Sequence, residues 1–290
     1  MKQFLLMLLL LLLLLIFHKE TILGTEQGLL LWYQTLVPSL LPFILITNAL
    51  SETNSYQAAA ASVPKHLSAR IYELTAIVLG NLCGYPIGGK LLNGFVEDAL
   101  LSPQRSRQLL ALSSQASPMF LIGYVHLHIL KNALPLPVFL ISIYLPVGIG
   151  YMIKRQRQND ASPSVPVRSG LCVKDTFLNA VRIMVMIGIY VILFSILLTI
   201  LLPYCQHTVS RLLLSFLEIT TGLQLLDSLF LPIRLKTALL CALCAFGGLC
   251  SGFQVRGVME PANVNIKKYL LDKIYLSAGT FVIILLYEII

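Results

Sequence analysis

The residue of this 290-residue chain best placed to do chemistry is Glu218, in SFLEITTGLQLL. An ionisable group inside an apolar segment is expensive to bury and marks a functional site by default. Thr220, Thr221 and Gly222 follow closely, so a carboxylate, two hydroxyls and a flexible backbone converge near one point. Such a cluster can hold a polar substrate, a proton or a sodium ion. The same residues also read as a carboxylate bonded to a helix N-terminus at a break in the segment.

Two cations stand at related positions, Lys90 six residues after Gly84 and Arg256 four after Gly252. Paired cations predict an anionic solute, and half-helix N-termini at nearby breaks would add positive potential through free amide groups. Against this, cations near span ends also snorkel to the interface. Tyr85 and Phe253 each directly follow a glycine and offer a ring to stack on a flat solute, a role that competes with packing or interfacial anchoring. Asn81, Gly248, Ser251, Ser117 and Gln254 complete the polar and small residues of the expected substrate site.

Other chemistries find little support. His126 and His128 are two apart and would point to different faces of a helix, so no metal site is expected. Cys241 and Cys244 form a CxxC, but LLCALCAF offers no histidine, acid or electropositive partner to make a thiolate. Most of the six cysteines lie in apolar runs and read as small buried hydrophobes. HExxH, GxSxG and paired carboxylates are absent, and GYPIGGK misses a phosphate loop because Leu91 takes the hydroxyl position. No enzyme and no cofactor is expected; a membrane thiol enzyme using Cys241, Cys244 or Cys250 is one alternative.

The elements that must position these residues are membrane spans. The chain is 57% hydrophobic and 12% charged, where a soluble domain is about 25% charged. The +8 balance suggests nucleic acid, but much of the excess sits in one short loop, at Lys154, Arg155, Arg157, Arg168 and Lys174. That is the positive-inside signature of a cytoplasmic loop, and no aromatic-plus-basic surface accompanies it. Nucleic acid is therefore excluded as a partner; the lipid bilayer and a small-molecule solute replace it.

About nine apolar segments follow one another. Residues 1–17 are a leucine run, read as an uncleaved first helix because HKETILGTEQG lacks a clear small-x-small cleavage site. Residues 29–50 form a span with Trp32 and Tyr33 as an interfacial belt and kinks at Pro38 and Pro42; a polar connector occupies 51–70. Residues 71–95 carry the first glycine-rich break, 105–130 a second polar interruption at Ser113, Ser114, Gln115 and Ser117, and 135–153 a clean span. After the loop, the plan repeats at 177–202, 212–230, 235–259 and 269–290. The expected organisation is thus an N-terminal membrane half (1–153), a basic loop (154–174) and a C-terminal membrane half (175–290).

An internal match joins the halves. Residues 79–90 read LGNLCGYPIGGK and residues 246–257 read FGGLCSGFQVRG. Gly80 to Gly247, Leu82 to Leu249 and Cys83 to Cys250 are each 167 apart; Gly84 to Gly252, Tyr85 to Phe253 and Gly89 to Gly257 are each 168. Duplicated, interrupted apolar segments point to a transporter's midplane binding site, and lipid tolerates such breaks only where they are buried in protein or line a wet cavity.

VPSLLPF at residues 37–43, GYPIGGKL at 84–91, ASPMFLIG at 116–123 and LEITTG at 217–222 together resemble the YlbJ-type sporulation integral membrane proteins. These are grouped with the nucleoside-recognition or Gate superfamily. The resemblance implies an all-α, polytopic bacterial inner-membrane protein, two related halves with broken or re-entrant helices, and similarity to concentrative nucleoside transporters. It further implies movement of a small anionic metabolite such as dipicolinate across a spore or forespore membrane. Carried over by residue, it touches Gly84, Tyr85, Pro86, Gly88, Lys90, Ser117, Pro118, Glu218, Thr220 and Thr221. Partners beyond lipid and solute would be further copies of the chain or other sporulation membrane proteins; a non-transporting scaffold of spore-envelope assembly is the competing role.

Overall fold

Lipid offers no partner for backbone N–H and C=O groups, so a chain this apolar is driven into helices that satisfy them internally. The computed structural model describes residues 2–52, 62, 65–155, 173–259 and 264–289, which form fourteen α-helices, two π-helical stretches, one 3-10 turn and no strand. Five stretches among them are long and apolar enough to cross a bilayer: His18–Leu50, Leu136–Ile153, Phe177–Tyr204, Ile233–Val258 and Ile266–Tyr287. Most of the connector at 51–70 up to Pro64, and the basic loop from 156 to 172 including Cys172, lie outside the described residues.

The N-terminal region is α1 (Lys2–Ile16), α2 (His18–Leu31), a π-helical stretch Trp32–Leu36 and α3 (Val37–Glu52). Pro38 lacks an N–H and its ring would strike the carbonyl four residues back; the wider π turn just before it relieves both problems. α2 packs along the long α9 (Val173–Leu201). Gly24 and Gly28 make this possible, since a Cβ on Gly24 would come 2.7 Å from the Ile196 Cα and one on Gly28 2.8 Å from the Ile192 Cα. Small residues four apart allow this close approach in membranes. The helix therefore begins at His18 rather than at 29. Trp32 donates its Nε1–H to the Met184 carbonyl at 2.9 Å, which makes it an interhelical contact, not an interfacial anchor.

In the first half, α4 (Lys65–Cys83) and α5 (Ile87–Glu97) fold back on each other. A Cβ on Gly80 would lie 2.6 Å from the Gly88 Cα, although eight residues of continuous helix span about 12 Å. The turn is made by Gly84 at φ 82, followed by a cis Tyr85–Pro86 bond. After α6 (Pro103–Leu109) the helix is interrupted through residue 117, resumes as α7 (Pro118–Phe120) and continues as the π-helical stretch Leu121–Ile129; α8 (Leu136–Ile153) closes the half. A buried bidentate pair ties the hairpin to α6: Arg105 Nε to Glu73 Oε1 at 2.5 Å and Nη2 to Oε2 at 2.8 Å, with the Tyr151 hydroxyl donating to the same carboxylate at 3.0 Å.

The second half runs in the same order. After α9, α10 (Thr208–Ser215) and α11 (Ile219–Asp227) form another hairpin, with Gly222 packed onto the Ser215 carbonyl. α12 (Ile233–Phe246) is then interrupted at Gly247, φ 84, before α13 (Gly248–Val258), and α14 (Ile266–Tyr287) follows.

This order changes the correspondence expected from the glycine-rich segments. Their register places Gly84 opposite Gly252 and Gly80 opposite Gly247, yet Gly252 and Gly80 are ordinary helical residues inside α13 and α4. By element order, the hairpin tip at Gly84 matches the tip at Glu218, and Gly247 matches the interruption at 110–117. The reason is physical: positive φ occurs at the first hairpin tip, Gly84, and at the second interruption, Gly247 and Gly248, but not at the Glu218 tip or at 110–117, so glycine marks a break without declaring its kind.

Gly88 and Gly94 offer a test within one helix. A Cβ on Gly88 would collide with the Ser113 carbonyl, whereas one on Gly94 meets nothing within 4 Å. Gly88→Ala should destabilise the detergent-solubilised protein by about 1–3 kcal/mol, read as a lower thermal midpoint, while Gly94→Ala leaves it unchanged or slightly raised.

Candidate functional site

Each hairpin tip abuts the interrupted helix of its own half. A Cβ on Gly84 would come 3.1 Å from the Ser117 amide nitrogen, and one on Gly248 3.1 Å from the Ile219 amide nitrogen and 3.2 Å from the Glu218 Cα. The two pairs meet where the Tyr85 ring and hydroxyl press on Gly247, a place with no room for a side chain.

Between them lies a pocket lined by Gly84, Tyr85, Ser117, Glu218, Gly247, Ser251 and Gln254, with Leu36, Leu40, Ile187 and Val191 among its apolar walls. Its cavity volume is about 30 Å³. That is room for one or two waters, not for a metabolite.

Neighbouring side chains satisfy the broken backbone. At the first interruption Asn81 Nδ2 donates to the Leu112 carbonyl (3.0 Å) and Asn81 Oδ1 accepts from the Gln115 amide (3.2 Å). The Tyr144 hydroxyl donates to the Ala116 carbonyl (3.0 Å). At the second, the Leu249 and Cys250 amides donate to the Phe216 and Leu217 carbonyls, both at 2.9 Å, stitching the interruption to the Glu218 tip.

Glu218 is 1% exposed and is the N-cap of α11. Its Oε1 accepts from the Thr220 amide (3.0 Å) and hydroxyl (2.6 Å), its Oε2 from the Thr221 amide (2.8 Å) and hydroxyl (2.8 Å). The capping reading of the LEITTG cluster thus describes its bonding, and the carboxylate also borders the pocket. Ser117 caps α7 in the same manner, accepting from the Phe120 amide at 3.3 Å.

Of the residues expected at the site, Gly84, Tyr85, Ser117, Glu218, Ser251 and Gln254 line the pocket. Asn81, Pro86, Gly88, Pro118, Thr220, Thr221 and Gly248 form its supports: Pro86 caps α5, Pro118 is the first residue of α7, and the others make the contacts given above. Lys90 and Arg256 do not join it. Lys90 bonds Asn48 Oδ1 at 2.9 Å and borders a separate polar cavity with Glu97, Asp98 and Arg182, while Arg256 is exposed. Phe253 packs on Phe194, with ring centroids 5.7 Å apart. His126 bonds the Leu134 carbonyl at 2.8 Å and stacks on Phe139, whereas His128 lies against Tyr124.

Sequence reasoning missed Lys273. It is fully buried on α14, and its Nζ donates to the Ser114 carbonyl at 2.8 Å and to Gln115 Oε1 at 2.9 Å, 5.6 Å from the centroid of the Tyr85 ring. Beside Asp272 it reads as one half of an interfacial charge pair. Helical spacing carries the missing signal, because Lys273, Ser277, Thr280 and Ile284 share one face, and that face is buried.

The chain is 21% identical, over 313 aligned positions, to the sporulation integral membrane protein YlbJ of Bacillus subtilis (strain 168), covering 90% of this chain and 76% of that protein. This similarity supports a YlbJ-type protein. Together with the five bilayer-length stretches, it makes the chain a multi-pass bacterial membrane protein in contact with lipid. No protein-family model and no solved structure matches the chain. The four motifs quoted for the resemblance fall at structurally defined places: VPSLLPF on α3, GYPIGGKL at the first tip, ASPMFLIG across the first interruption and LEITTG at the second tip.

Glu218→Gln keeps the size but removes the charge at the α11 N-terminus and two acceptor sites. It should lower the thermal midpoint by the equivalent of about 1–3 kcal/mol. Thr220→Val removes one of the four bonds, the hydroxyl contact to Oε1, and the double variant should cost less than the sum of the two single changes because the partners are shared. Unchanged melting of Glu218→Gln would show that the carboxylate is not holding the tip.

Proposed function

We propose that this protein transports a small, anionic metabolite, dipicolinate-like or nucleoside-like, across a bacterial inner membrane, and in sporulating cells across a forespore membrane. The observation that carries the reading is the convergence of two hairpin tips and two interrupted helices on one pocket. Discontinuous helices meeting at a common point are how secondary transporters build solute sites, with half-helix N-termini facing anionic groups. The shared element order of the two halves supports an internal repeat of Gate type, and the Bacillus subtilis relative, a sporulation integral membrane protein, supports a link to sporulation.

Anion preference no longer rests on Lys90 and Arg256, which stand away from the pocket. Lys273 replaces them as the nearby positive charge, and Glu218 is offset by the four donors at the α11 N-terminus. We read the role as transport rather than catalysis: Cys241, Cys244 and Cys250 are buried and fit small hydrophobes, and with no ATP-binding loop in the sequence transport would be gradient-driven, facilitated or powered by a separate partner.

Purified protein in proteoliposomes should take up labelled dipicolinate or uridine above empty vesicles. Gly84→Leu, which forces a side chain onto Ser117 at a positive φ, should cut uptake at least about tenfold while the protein still elutes as a folded species. Entry of neither solute, or equal uptake by the variant, would count against the proposal.

A further inference from the structure

We propose that Lys273 is a tethered cation seated where a coupling ion would otherwise bind, so that this protein works without sodium. The inference rests on the transport reading only where it concerns coupling; the seat itself rests on geometry. An ammonium has three N–H donors. Two go to oxygens of the first interruption, the Ser114 carbonyl at 2.8 Å and Gln115 Oε1 at 2.9 Å, and the Tyr85 ring lies beside the nitrogen. Unwound backbone carbonyls at interrupted helices are the groups that coordinate sodium in secondary transporters.

No carboxylate answers the charge. Among the described residues the ion pairs are Arg105–Glu73 and Lys154–Asp272, and neither includes Lys273. α14 thus turns Asp272 towards Lys154 and its neighbour Lys273 inward, although an unpaired buried charge is costly. Neutral oxygens around a single positive charge, with no counter-carboxylate, are the surroundings of a monovalent ion. Here the ion is attached to the chain. Tyr85 lines the pocket and its ring centroid is 5.6 Å from the Lys273 nitrogen, which is not itself among the lining residues, so the fixed charge would add positive potential to the solute side without being exposed to it.

Lys273→Ala in the full chain should open the seat to a free ion. In detergent, wild-type protein should melt at the same temperature in matched NaCl and choline chloride. Lys273→Ala should melt several degrees lower in choline chloride and recover in NaCl or methylammonium chloride. Equal melting of Lys273→Ala in these salts would overturn the proposal. If Lys273→Ala does not fold, Lys273→Arg should retain wild-type melting and Lys273→Met, similar in length but neutral, should lose it; alike behaviour of the two overturns the proposal as well. In proteoliposomes, wild-type dipicolinate uptake should be unchanged when a sodium gradient is replaced by choline, and a tenfold sodium stimulation would refute the idea. Absence of any uptake would sink the transport reading alone, because the melting comparison judges the cation seat independently.

Discussion

A backbone broken inside a bilayer has to be paired by the protein around it, and most of the architecture follows from that requirement. Lipid cannot take the freed N–H and C=O groups, each of which would cost several kcal/mol if left bare. Asn81, Tyr144 and Lys273 supply the partners at the first interruption, and the Phe216–Leu217 backbone supplies them at the second. The partners come from α4, α8, α14 and the second hairpin, so the breaks hold those elements in register. Thr280 to the Ser142 carbonyl and Ser277 to the Ala242 carbonyl, each at 2.8 Å, extend the same polar stitching along α14.

Glycine does the complementary work of removing bulk where backbones must touch. Gly88 against Ser113, Gly222 against Ser215 and Gly247 against Tyr85 are contacts that no side chain could replace. The first seats the α4–α5 hairpin on the interruption beside it, the second closes the α10–α11 hairpin and the third joins the halves. Hydrogen bonding therefore decides where the breaks are tolerated, and missing side chains decide how closely the broken pieces approach. Neither alone would bring Gly84, Ser117, Glu218 and Gly247 to one pocket.

The all-α membrane class was legible in composition, and the convergence of GYPIGGK, ASPMFLIG and LEITTG on one site was legible in their residue types. Glu218 was found because a lone carboxylate among leucines is conspicuous, and its bonding to Thr220 and Thr221 follows from their spacing. The pairing of breaks between halves was not legible, since glycine spacing cannot distinguish a hairpin tip from an interrupted helix. Lys273 was hidden by its neighbour: Asp272 and Lys273 adjacent near the start of a span look like an interfacial pair, and only the helical face shared with Ser277 and Thr280 separates them. The long reach of α2 was hidden likewise, because GTEQG is polar in composition but presents its glycines to α9.

The narrowness of the pocket has a consequence for energetics. Under the transport reading proposed above, a site that admits only one or two waters would take a solute only in a wider arrangement of the hairpin tips. Apparent affinity would then be the intrinsic affinity scaled down by the fraction of molecules that are open. Selectivity and tightness would be separable in such a transporter: tip contacts would set which solute fits, and the close Tyr85–Gly247 contact between the halves would set the cost of opening.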